Sequence, residues 1–142
     1  MSLINILIVL LLISFTAIVS VNAKAKGIVT ITVAVVIALI SSHVAIKALF
    51  GNSYEILLSG TILFGNVLIK VDALSAWFIL TINFTILTGA VYGFSYMKKY
   101  REMKSKLTLH CIAYLLIHFA LIGICSVQNG FIFLLMWELM AL

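Results

Sequence analysis

The chain alternates between long apolar runs and short polar interruptions, and the polar residues gather between the runs more than within them. Residues 3–22 make the first run, about 20 residues, which at a rise of about 1.5 Å per residue spans a hydrocarbon core of roughly 30 Å. Residues 28–50, 73–96 and 107–127 make three more runs of spanning length. Each predicts a transmembrane helix. Lys24 and Lys26 read as a very short polar link between the first two. A fifth run occupies residues 131–142, but as a helix it covers only roughly 18 Å. It reads as an incomplete span, and the chain as the front part of a longer protein.

Residues 51–71 follow another pattern. Ile56-Leu57-Leu58, Thr61-Ile62-Leu63-Phe64 and Val67-Leu68-Ile69 are short apolar pieces separated by Ser59-Gly60 and Gly65-Asn66. Pieces of this length bounded by turn dipeptides predict a β-hairpin over 56–69. Open strands cannot leave their backbone unpaired in lipid, so the hairpin belongs on the outer surface over the helix ends. A re-entrant segment is the competing reading. Asp72 stands directly before the third run, where a carboxylate caps a helix N-terminus and complements its dipole.

Composition changes the picture from apolar to membrane-embedded. Of 142 residues 65% are hydrophobic and 9% are charged, with no proline, whereas a soluble domain carries about 25% charged residues. The net charge of +5 therefore speaks for orientation signals and against nucleic acid. Lys24, Lys26, Lys98, Lys99, Arg101, Lys104 and Lys106 fall in two inter-helix stretches, leaving only Lys47 and Lys70 elsewhere. By the positive-inside rule those stretches are cytoplasmic, and the N-terminus, the hairpin and the turn Gln128-Asn129-Gly130 lie outside. A signal peptide is the alternative for the first run, with Ala23-Lys24-Ala25 as a cleavage-like site. No positive charge precedes the run, which favours a retained helix.

Several side chains within the runs could carry chemistry. Glu138 lies roughly 12 Å beyond Gly130 along the fifth run, and an intramembrane carboxylate normally faces protein or water. His110, Tyr114, His118, Leu121 and Cys125 share one face of the fourth helix. The two histidines could pass protons; the alternative puts His110 at the interface and His118 in an interhelical hydrogen bond. His43 and Lys47 share a face near the end of the second helix, read as an interfacial anchor in preference to a relay. On the third helix Thr81, Thr85, Thr88, Tyr92 and Ser95 form a polar stripe, and Gly89-x-x-x-Gly93 offers close helix approach. Cys111 and Cys125 lack C-x-x-C spacing and read as small buried residues. Metal-ligand spacing, a nucleophile elbow and a phosphate loop are absent from the sequence, so no cofactor and no catalytic chemistry is assigned to this chain.

Val71-Asp72-Ala73-Leu74-Ser75-Ala76-Trp77-Phe78, followed after one helix and a basic loop by Trp137-Glu138-Leu139-Met140, resembles a known family. It is similar to the N-terminal part of the antiporter-like membrane subunits of respiratory complex I, membrane-bound hydrogenases and multi-subunit cation/proton antiporters. The Trp-Glu-Leu-Met form resembles hydrogenase-4 and formate hydrogenlyase type complexes most. The resemblance covers residues 67–142; the earlier spans match in hydropathy and order only. It implies an all-α membrane domain in a bacterial inner membrane, other oxidoreductase or antiporter subunits as partners, and protons or sodium ions as cargo. It also implies that Glu138 pairs with a lysine on a later helix, and that this pair modulates proton movement.

Overall fold

The computed structural model describes residues 3–59, 65–100 and 102–141, with the side chains of 3–7 outside that description. The described residues form five α-helices and one small sheet: α1 Leu3–Ser20, α2 Ala23–Leu49, β1 Tyr54–Leu58, β2 Val67–Val71, α3 Ala73–Tyr96, α4 Lys104–Ser126 and α5 Gly130–Ala141. A 3-10 turn, Met97–Tyr100, extends α3. Ala23–Leu49, Ala73–Tyr100 and Lys104–Ser126 are long and apolar enough to cross a membrane; Ile8–Ser20 and Gly130–Ala141 are shorter apolar stretches.

Two boundaries differ from the expectation. Lys24 and Lys26 are not a link but lie in the first turns of α2. Ala-Lys-Ala-Lys contains strong helix formers and no breaker, so the helix runs back to Asn22. For the same reason Lys104 and Lys106 belong to α4 rather than to the loop before it.

Local chemistry sets the other ends. Asp72 is the N-cap of α3, its Oδ1 accepting the Ser75 backbone N–H at 2.8 Å. Asn129 Oδ1 accepts the N–H groups of Phe131 and Ile132 at the start of α5. Helix α2 stops at Gly51, whose φ of +93° suits only glycine well. There the Gly51 N–H donates to Ala48 O and the Asn52 N–H to Lys47 O. That pair of bonds is the Schellman closure of a helix C-terminus.

Helices α2 and α3 form the central pair. Ala34, Ala38, Ser41, Ala45 and Ala48 are buried on α2, and Ala76, Ile79, Asn83, Ile86 and Ala90 on α3. Both series alternate steps of three and four, so each lies along one seam, and the small α2 side chains let the backbones approach closely. Helix α4 packs on both, α1 on α2 and α4, and α5 along α4. Gly123 makes the last contact possible, since a Cβ there would stand 2.9 Å from Met136 Sδ.

Strands β1 and β2 pair antiparallel, Tyr54 opposite Val71 and Leu58 opposite Val67. The expected middle piece, residues 61–64, and Gly60 lie outside the described residues; Gly65 has a φ of +61°. Across the pair Lys70 Nζ stands 2.7 Å from a Glu55 oxygen. Val71 packs against Ala45, Ala48, Ala76 and Ile79, which seats the hairpin on the ends of α2 and α3. The free edge of β2 is covered as well: Ile69 bridges to Val127, and the Gln128 N–H donates to Leu68 O at 2.9 Å. The hairpin and the α4–α5 turn therefore share one end of the bundle.

Candidate functional site: a polar chain across three helices

One apolar seam carries an amide. Asn83, 3% exposed, lies mid-way along α3 and reaches both neighbouring helices. Its Nδ2 donates to Ser41 Oγ and Ser42 Oγ on α2, each at 2.8 Å. Its Oδ1 stands 3.0 Å from His118 Nε2 on α4. Asn83 Nδ2 also lies 3.3 Å from Ala38 O, a carbonyl that can only accept, while Ser41 Oγ donates to Ile37 O at 2.8 Å and accepts from Asn83. That requirement fixes the amide orientation: Nδ2 faces the serines and Oδ1 faces the imidazole. His118 Nε2 must then be the protonated ring nitrogen.

The result is a directed chain, His118 to Asn83 to Ser41 to Ile37, crossing from α4 through α3 to α2. It leaves His118 Nδ1 as a bare lone pair. The ring is fully buried, and Nδ1 has no hydrogen-bond partner among the described residues. A proton arriving at Nδ1 leaves the Nε2–H bond to Asn83 intact, so His118 can change charge without breaking the chain. A water molecule donating to Nδ1 would satisfy it equally well.

The remaining candidates are dispersed. His110 is exposed near the start of α4, its ring beside Tyr114, and lies about 12 Å along the helix from His118. Tyr114 donates to Ile86 O across Gly89, where a Cβ would stand 2.8 Å from the phenol oxygen. A Cβ at Gly93 meets only His110 Nε2, at 3.9 Å. Thr81, Thr85, Thr88, Tyr92 and Ser95 all point outward, and the three threonines donate to carbonyls of their own helix. His43 and Lys47 are exposed near the end of α2.

Glu138 is exposed too. Ile132, Phe133, Met136, Leu139 and Met140 are half-buried, whereas Phe131, Leu134, Leu135 and Glu138 form the opposite, open stripe of α5. No basic side chain pairs with it among the described residues. Cys111 is buried and Cys125 half-buried, separated along α4 by about 21 Å, too far to bridge. No cluster of three or more His, Cys, Asp or Glu able to hold a metal occurs among the described residues.

The hydrophobic pattern alone does not mark Asn83 as the residue that joins the three helices. The signal was present: a lone amide in an otherwise small-and-apolar seam at alternating three-and-four spacing. What fold and site define together is a class, a bundle of apolar helices with a buried polar crossing. No family model matches the chain, and no curated protein matches it.

Proposed function

We propose that this chain is an ion-translocating membrane subunit, or the N-terminal part of one, in an oxidoreductase-linked complex of the antiporter-like kind. The observation that carries the reading is the buried His118 imidazole, with Nε2 committed to Asn83 and Nδ1 bare. A titratable ring in the middle of apolar helices is expensive to keep there, and such groups mark proton or ion paths. In this reading α1 to α4 cross the membrane and α5 begins a fifth span. The lysine-rich end is cytoplasmic and the hairpin faces the outside of a bacterial inner membrane. His118 holds and releases a proton at Nδ1. Glu138, on the open stripe of α5, meets a basic side chain of an adjoining helix, as the family resemblance implies.

The alternative is an accessory membrane subunit without ion movement. The outward Glu138, unpaired among the described residues, and the clamp-like bond from His118 to Asn83 favour it. His118→Gln separates the two readings, since a Gln amide still donates to Asn83 Oδ1 but cannot take up a proton. Reductant-driven proton uptake into vesicles carrying the assembled complex should fall several-fold in this variant. Unchanged uptake by a fully assembled complex would leave the accessory reading.

A further inference from the structure

At the end of the bundle opposite the hairpin, α2, α3 and α4 part around a shallow cleft, open on one side. Lys24 and Lys98 stand at this cleft, and His110 lies on its wall. Among the described residues no carboxylate lines it. The start of α2 adds to the positive field, because Asn22 gives its helix no side-chain cap and Ala23 and Lys24 border the cleft. Lys98 Nζ is held 5.0 Å from the centre of the Phe94 ring. Phe94 in turn lies on Gly27, where a Cβ would strike its ring.

Apolar side chains make up much of the remaining wall. Ile31, Ala90, Phe94 and Leu107 line a furrow, and Gly93 keeps it open. We propose that this cleft binds an anionic phospholipid, its phosphate between Lys24, Lys98 and His110 and an acyl chain along the furrow. Basic pockets between membrane helices on the cytoplasmic side suit such headgroups. A free phosphate ion shares the headgroup chemistry but would leave the apolar furrow unused. The inference rests on the membrane reading above, and concerns neither His118 nor Glu138.

The test uses the purified full chain in detergent, with phosphatidylglycerol, phosphatidylcholine of the same acyl chains, and inorganic phosphate as probes. Bound lipid is read by native mass spectrometry. The wild type should retain phosphatidylglycerol in preference to phosphatidylcholine. Each lysine contributes a factor of roughly five near an anionic lipid, so Lys24→Gln with Lys98→Gln should weaken phosphatidylglycerol about twenty-five-fold. Gly93→Leu, which fills the furrow, should weaken both lipids, and Lys47→Gln at the other end of α2 should change neither. Equal retention of the two lipids, or an unaffected double lysine variant, would overturn the site. Displacement of phosphatidylglycerol by inorganic phosphate at equal concentration would overturn the lipid assignment in favour of a free anion. Flotation with phosphatidylcholine vesicles, with and without phosphatidylglycerol, separates the site from the membrane reading. A chain that floats without headgroup preference keeps the membrane reading and loses the site, whereas a chain that does not float loses both.

Discussion

Asn83 joins three helices with one side chain, because an amide can donate twice on one side and accept on the other. Asn83→Ala would leave the His118 Nε2–H and the Ser42 hydroxyl without that partner. Interhelical hydrogen bonds in membranes contribute about 0.6 to 2 kcal/mol, so the variant should lose stability on that order, measurable by unfolding in mixed micelles. Among the described residues Glu138 is under no such constraint, and its test is functional. Glu138→Gln fills nearly the same volume but carries no charge, so proton uptake should drop with assembly intact on a native gel; Glu138→Asp should keep part of it. Normal uptake by the Gln variant would remove Glu138 from the mechanism. Asp72 gives a prediction in pH. The Ser75 backbone N–H holds its carboxyl below the usual carboxylate range. A depressed folded value contributes stability in full above the unfolded value near 4, and loses it as pH falls through the folded one. The melting-temperature gap between wild type and Asp72→Ala should therefore be constant from pH 7 to about 5 and close below about 4. A gap that widens on acidification would contradict the cap.

Among the elements, α3 was the most legible in sequence. Asp72 is a chemical start signal, and the lysine-rich stretch after Tyr96 is an equally clear end. The start of α2 is less legible, because lysine marks loops by its charge yet has a high helix propensity, and nothing near Lys24 and Lys26 breaks the helix. The hydroxyl stripe of α3 was legible as a stripe but not as a direction: it points outward, and the buried amide lies on the opposite face. Hydroxyls that can bond to their own helix need no partner helix, whereas an amide does, and this is why Asn83 and not the threonines went inside. Glycines divide in the same way. Gly89→Ala should displace the Tyr114 phenol from Ile86 O and cost about 1 to 3 kcal/mol, while Gly93→Ala should stay within about 0.5 kcal/mol. Thermal unfolding of the two variants side by side checks this; equal losses would mean that the two glycines do the same work.

For the whole molecule, the hairpin and the α4–α5 turn occupy one end, and the cleft bordered by Lys24 and Lys98 the other. In the membrane reading that asymmetry sets orientation. Ser105→Cys should resist an impermeant thiol reagent applied to intact cells and react after permeabilisation; labelling from outside would invert the arrangement. The central claim is that ions move by way of this chain, and a double-mutant cycle in the assembled complex tests it most directly. Proton uptake is measured for wild type, Glu138→Gln, His118→Gln and both together. If the two groups serve one path, each single variant lowers uptake and the double variant is no worse than the more severe single. Full uptake by the assembled double variant would contradict the account.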